Sequence, residues 1–281
     1  MNARLRNKIK GAVYGFAIGD AMGATTEFMD VKSIRETYGC VKDIIGGGWL
    51  NLQPGEITDD TQMTMCVMSA FMRRPDNPEQ FQKFCEDNFV HWVNSNPKDI
   101  GAQCARAIHC IMCGKKVPSD ENARGNGSLM RAMPLAIFNL PFLNIIQGRI
   151  THNNNFCSKI IMDYTKLFQA FLYDDYKMVA EVKKGYKGKD GKVHLCEPTG
   201  YVLNTFLNSI VWSGKSSFSD AIIGAVNNGG DADTIAAITG SLAGARFGFN
   251  NIPERWVEAL NHDVKEFLEN FINFAFSCLH I

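Results

Sequence analysis

Glycine recurs at every fourth position in the stretch Ile9 to Gly23, at Gly11, Gly15, Gly19 and Gly23, within a pattern that otherwise reads as an apolar helix. A four-residue step lies close to the 3.6-residue turn, so the four glycines fall along one slowly drifting face. Glycine inside a helix costs roughly 0.5–1 kcal/mol relative to alanine, and such a strip needs an offset. A smooth face offers one, because it lets a second backbone pack closely against it. The last third of the chain repeats the device: Ala236, Gly240, Gly244 and Gly248 share a face of a helix that begins near Thr234. The two small-faced helices are therefore expected to lie deep in one bundle, close to each other.

Helical patterning continues almost throughout. Further helices are expected near 60–73, 79–94, 99–113, 129–139, 156–172, 200–212, 217–227 and 253–278. Strand signals are few, the best being Val41-Lys42-Asp43-Ile44-Ile45 before the turn-forming Gly46-Gly47-Gly48. Residues 174–198 change character, with six lysines from Lys177 to Lys192 and several glycines, and read as an exposed loop or irregular segment. No Pro/Ser-rich linker and no solenoid-length repeat divides the chain. The expectation is an all-α, compact helical bundle forming a single domain over residues 1–281.

Formal net charge is +0 with a pI near 7.0, so no overall basic field gathers nucleic acid or anionic membrane, and a negatively charged ligand must be held by local geometry. No apolar run reaches the length of a membrane span, and the basic start leads into Gly11-Ala12-Val13 without a signal-type cleavage pattern. A cytoplasmic protein is the default expectation. The nine cysteines are scattered. Cys110-Ile111-Met112-Cys113 lacks the second C-x-x-C of a zinc site and any thioredoxin-like surrounding, and is expected to pack into a core as reduced thiols.

Chemistry concentrates in two acidic runs, Thr58-Asp59-Asp60-Thr61 and Asp231-Ala232-Asp233-Thr234. Each follows glycine-containing loop sequence and leads into an apolar helical stretch. Helix capping alone explains one such run, since Asp and Thr accept hydrogen bonds from the free N–H groups of a first turn. Two runs of the same chemistry invite another reading. If the small-faced helices meet, the runs converge, and four carboxylates then require neutralisation by Mg²⁺ or Mn²⁺, the natural partners of carboxylate and hydroxyl oxygen. An EF-hand calcium loop is a poor alternative, because its later ligands are absent.

Three other segments carry weaker signals. Asp20, in Gly19-Asp20-Ala21-Met22-Gly23, is either a buried hydrogen-bond anchor or a support for the metal site, the latter being favoured, and Glu27 follows the helix end. Gly125-Asn126-Gly127-Ser128-Leu129-Met130-Arg131 has the glycines and helix start that present backbone N–H groups to a phosphate, although a simple helix-entry turn looks the same. Trp212-Ser213-Gly214-Lys215-Ser216 is not a P-loop, because Ser209 occupies the required earlier glycine position.

In their order, Gly19-Asp20-Ala21-x-Gly23-x3-Glu27, Thr58-Asp59-Asp60-Thr61, Gly125-Asn126-Gly127-Ser128-x-Met130-Arg131 and Gly230-Asp231-x-Asp233-Thr234 closely resemble the motifs of the ADP-ribosylglycohydrolase family. Subsidiary matches are Asp99-Ile100-Gly101, Thr151-His152, Gly200-Tyr201-Val202 and Ile252-Pro253-x2-Trp256. The resemblance implies a mostly helical domain with two divalent cations, Mg²⁺ or Mn²⁺. It implies Thr58, Asp59, Asp60, Asp231, Asp233 and Thr234 as metal ligands. Glu27 matches a flexible carboxylate near metal and substrate, and Asp99 resembles an acid near the scissile bond. Glu27, Asp60 and Asp99 are thus the candidate catalytic groups. Gly125, Asn126, Gly127, Ser128, His152 and Tyr201 resemble the wall that receives ADP-ribose. The implied reaction is hydrolysis of the α-glycosidic bond joining ADP-ribose to an acceptor, most naturally a protein side chain or else a small molecule, with neither nucleic acid nor membrane as a partner. Two alternatives remain at this point: a two-metal phosphohydrolase on an ADP-ribose-like nucleotide, and a non-catalytic ADP-ribose-binding protein.

Overall fold

The computed structural model describes residues 2–281, which form fourteen α-helices, two short 3-10 turns and no β-strand. In chain order the helices are α1 (Asn2–Gly23), α2 (Val31–Tyr38), α3 (Asp59–Met72), α4 (Pro78–Asn94), α5 (Ala102–Met112), α6 (Met133–Ile137) and α7 (Pro141–Arg149). They continue with α8 (Asn155–Leu172), α9 (Tyr176–Lys184), α10 (Val202–Trp212), α11 (Phe218–Val226), α12 (Ala232–Phe247), α13 (Glu254–Ala259) and α14 (His262–Leu279). None is long and apolar enough to cross a membrane.

The glycine strips do what their spacing predicts. Gly11 faces the carbonyl of Gly244, Gly15 that of Gly240, Gly19 that of Ala236 and Gly23 that of Ala232, so α1 and α12 run antiparallel with their backbones in contact. A Cβ at Gly11 would stand 2.7 Å from the Gly244 oxygen, and one at Gly23 would stand 2.5 Å from the Ala232 oxygen. Only glycine permits this approach, which offsets its poor helix propensity. Both helices are buried over most of their length, and α11, α10 and α8 pack around α12. The antiparallel register has one consequence above all: the C-terminal end of α1, with Asp20, meets the N-terminal end of α12, with Asp233. A second apolar cluster, including Met63, Val67, Phe81, Phe89 and Ile108, seats α3, α4 and α5 beside this pair.

Several expectations are corrected. Val41 to Ile45 forms no strand; the side chain of Asn227 instead accepts from Val41 N and donates to Val41 O, both at 2.8 Å, standing where a neighbouring strand would. The helix expected at 129–139 shrinks to α6, preceded by a 3-10 turn at Asn126–Ser128. Pro134 explains the boundary, because proline is tolerated only in a helix's first turn. The stretch 253–278 is broken into α13 and α14 at Leu260, whose backbone is extended, and Asn261 N–H donates to Gly55 O at 3.2 Å.

Residues 174–198 are not wholly irregular. Asp175 caps α9, accepting from Met178 N at 3.0 Å, and α9 buries Val179 and Val182 while the later lysines stay exposed. The short helices α2 and α7 were not evident in the sequence. All nine cysteines are free, and Cys113 sits exposed at the end of α5 rather than in a core.

Candidate active site

Asp20 is the hinge between the helix pair and the first acidic run. It is fully buried and accepts from Thr58 Oγ1 at 2.7 Å, Thr58 N at 3.2 Å and Thr61 N at 3.0 Å. Three donors at the start of α3 are thus gathered by one carboxylate from α1, fixing where Asp59 and Asp60 emerge. Burial raises the Asp20 pKa and these hydrogen bonds oppose the rise. The structure makes Asp20 the buried hydrogen-bond anchor of the first acidic run.

The second run is built differently. Gly229 and Gly230 both have positive φ, +69° and +65°, and a Cβ at Gly230 would collide with the Pro198 carbonyl. This turn exchanges backbone hydrogen bonds with the loop after α1: Phe28 N donates to Gly230 O at 2.6 Å and Gly230 N to Met29 O at 2.8 Å. Glu27 is thereby tied to the acidic turn. Asp231 stands at the cap position of α12 but makes no capping hydrogen bond; its Oδ2 accepts from Asn126 Nδ2 instead. Capping therefore accounts for Thr58, whose Oγ1 accepts from Asp60 N at 3.3 Å, and not for Asp231.

These elements enclose a cavity of about 390 Å³ lined by six carboxylates, Glu27, Asp59, Asp60, Asp99, Asp231 and Asp233. No Lys or Arg lines it. Carboxylate oxygens of Glu27, Asp231 and Asp233 lie within 4.8 Å of one another. Asp60 Oδ2 accepts from Thr234 Oγ1 at 3.0 Å, while its buried Oδ1 has no partner.

Burial raises every one of these carboxyl pKa values, and mutual repulsion raises most of them further. Glu27 rises to about 8, through burial first and then the charges of Asp231, Asp99 and Asp59, against the hydrogen bond from Trp49. Asp59 rises to about 7 and Asp231 to about 6, and Asp60 and Asp233 stand well above the ordinary carboxylate range. Crowded acids with an orphaned oxygen and no cationic neighbour form a donor set that fits hard divalent cations.

Thr58 and Ser128 are buried and do not line the cavity. The remaining anticipated positions do, apart from Tyr201, which stacks on Phe156 at 6.1 Å and forms a bridge with Gly125. Gly125, Asn126, Gly127 and His152 line the same cavity, with Asn126 bonded directly to Asp231. Phe28 and Trp49 are among the lining residues that no sequence motif marks. Trp49 Nε1 donates to Glu27 Oε2 at 2.6 Å, and the Phe28 and Trp49 rings lie 5.4 Å apart, both largely exposed. A tryptophan after three turn glycines carries no signal that it will reach back to an acid on another loop.

The family model for ADP-ribosylglycohydrolase matches residues 1–276. The chain is 31% identical to the ADP-ribosyl-[dinitrogen reductase] glycohydrolase of Rhodospirillum rubrum, covering 93% of this chain and 92% of that one. It is also 31% identical to the ADP-ribosylarginine hydrolase Tri1 of Serratia proteamaculans, covering 90% and 75%. A solved structure described as an ADP-ribosylglycohydrolase-related protein complex superposes with a TM-score of 0.80 at 27% identity, covering 97% of this chain and 99% of that chain. The ordered motifs, the helical architecture and these likenesses agree: the chain belongs to the ADP-ribosylglycohydrolase family, hydrolases that act on glycosyl bonds.

Proposed function

We propose that the protein is a metal-dependent hydrolase that releases ADP-ribose from an ADP-ribosylated protein side chain by cleaving the α-glycosidic bond. The observation that carries this reading is the convergence of six carboxylates on one cavity without a cationic side chain. Two divalent cations, Mg²⁺ or Mn²⁺, are the proposed occupants, with Asp59, Asp60, Asp231, Asp233 and Thr234 as ligands. Thr58 joins them only through the lone pair left after its two hydrogen bonds. Bound there, the cations would supply Lewis acidity toward ribose oxygens and a water of lowered pKa.

The chain's own groups do the rest. Asp20 holds the start of α3 in register. Trp49 orients Glu27, and Glu27 and Asp99 flank the cavity as candidates to take a proton from water and return one to the leaving acceptor. Asn126 holds Asp231, while Gly125, Gly127 and His152 receive the ADP-ribose. Water adds at the anomeric carbon, the bond to the acceptor breaks, and the acceptor leaves with a proton.

An arginine-linked acceptor is favoured by one feature of the mouth. The exposed Phe28 and Trp49 rings beside Glu27 suit a planar guanidinium, which stacks on aromatic faces. The Serratia relative, an ADP-ribosylarginine hydrolase, points the same way. The test is incubation with arginine- and serine-ADP-ribosylated proteins in the presence of Mn²⁺, with products identified by mass spectrometry. Intact ADP-ribose from the arginine-linked substrate is expected. AMP as product would replace this reading with a phosphohydrolase, and binding without release would replace it with a binding protein.

A further inference from the structure

Arg131 is completely buried, yet among the described residues it forms no ion pair. Its guanidinium donates to Gln147 Oε1 and Gln147 O, both at 3.0 Å, and to Thr151 Oγ1 at 2.8 Å. Cys104 Sγ at 3.7 Å, Met63 Sδ at 3.9 Å and the Phe89 ring at 4.8 Å lie around it. A buried charge without a counter-ion is expensive, and a neutral core residue would fill the space without that penalty.

The chemistry it imposes runs through Thr151. Arginine only donates, so the Thr151 oxygen is committed as acceptor toward Arg131 and keeps its single proton to give. His152 Nδ1 lies 2.9 Å from that oxygen. The sulfur of Cys104, the other neighbour of the Thr151 hydroxyl, is the weaker acceptor. Thr151 therefore donates to Nδ1, which leaves the imidazole proton on Nε2. Burial and the charges of Arg131 and Arg106 hold the ring neutral, with a pKa lowered to about 3.

Nε2 meets no acceptor among the described residues. It is turned toward the cavity wall, where a Cβ on Gly125 would stand 3.0 Å from Nε2 and a Cβ on Gly127 would stand 2.9 Å from Cε1. The loop needs glycine at both positions to make room for this ring.

We propose that Arg131 is a positioning residue: through Thr151 it fixes His152 as a neutral Nε2–H donor, presented beside Gly125 and Gly127 to an oxygen of the ligand. The donor role rests on the ADP-ribose reading above; the proton's location does not.

The test is a long-range ¹H–¹⁵N spectrum of the full chain labelled at histidine, with His152 assigned by its loss in His152→Gln. The expected spectrum has the proton on Nε2, unchanged between about pH 5 and pH 8, and the Nε2 signal moves when ADP-ribose is added. Thr151→Val is expected to mix the two tautomers and weaken ADP-ribose binding roughly 10-fold, the loss of about one hydrogen bond to a charged group. Thr151→Ser restores both. Arg131→Met mixes the tautomers where it folds, and the Thr151 pair decides the matter where it does not. A proton on Nδ1 in the wild type overturns the proposal. So does a Thr151→Val protein with an unchanged tautomer and affinity. If ADP-ribose binds but leaves His152 unmoved, or does not bind at all, the donor role falls, while the tautomer stands or falls on the ligand-free spectrum alone.

Discussion

Gly23→Ala and Gly11→Ala introduce the same methyl group at opposite ends of the α1–α12 contact, and their effects are predicted to differ in kind. At Gly11 the new Cβ would stand 2.6 Å from Phe249 N and 2.7 Å from Gly244 O. At Gly23 it would stand 2.5 Å from both Ala232 O and Asp233 Cα. Ordinary contact begins at 3.4 Å, so each site must open by about 0.8–0.9 Å against backbone that has no flexible end to yield. Overpacking of this size costs about 1–3 kcal/mol, which lowers Tm by several degrees in a chain of this length. Both variants are expected to show that loss in a thermal melt.

Only Gly23→Ala pushes directly on the main chain of a proposed ligand, Asp233. A misplacement near 1 Å costs on the order of 100-fold in rate, so kcat for ADP-ribose release should fall by that order at a temperature where both variants are folded. Gly11→Ala should keep wild-type kcat. Equal activity loss in the two variants, or full activity in Gly23→Ala despite a lowered Tm, would refute the claim that the helix contact sets the geometry of the acidic cluster.

Three further outcomes are expected. Asp60→Asn should keep the fold and remove most activity, because it takes charge from a buried carboxylate whose Oδ1 has no protein partner; full activity with normal metal content would remove Asp60 from the site. Trp49→Phe deletes the 2.6 Å hydrogen bond to Glu27 and should lower kcat about 10-fold, with little change in Tm; unchanged kcat would mean that Glu27 needs no orienting. The chelated protein should lose stability as pH rises from about 4 to about 8. Glu27, Asp59 and Asp231 have folded pKa values near 8, 7 and 6, above their unfolded values of about 4. The folded state therefore holds more protons across that window and is disfavoured as they leave. Added Mg²⁺ should flatten the dependence, and a pH-independent Tm in chelator would contradict the raised values.

What was legible in the sequence had a period or a motif. The glycine strips predicted the α1–α12 contact because a four-residue recurrence has one structural use, and through that contact the meeting of Asp59 and Asp60 with Asp231 and Asp233 followed. Long amphipathic helices such as α4 and α8 were readable for the same reason. The short helices α2, α7 and α9 were not, since eight or nine residues give about two turns of signal, and α2 buries only Ile34. The strand expected at Val41 to Ile45 failed because an asparagine side chain from residue 227 replaced a partner strand. No local pattern reports such a contact. Trp49 and Phe28 were missed on the same ground: their roles arise from loops that meet only after the fold is complete.

A cation titration of the metal-free protein, following release of ADP-ribose from an arginine-ADP-ribosylated peptide while counting bound Mg²⁺ or Mn²⁺, tests the metal-dependent reaction most directly. No release is expected in chelator, and activity should return as the cluster fills to two cations per chain, with intact ADP-ribose as the product. Release at the full rate in chelator, or cations that bind while Asp233→Asn leaves both their number and the rate unchanged, would contradict the proposed reaction.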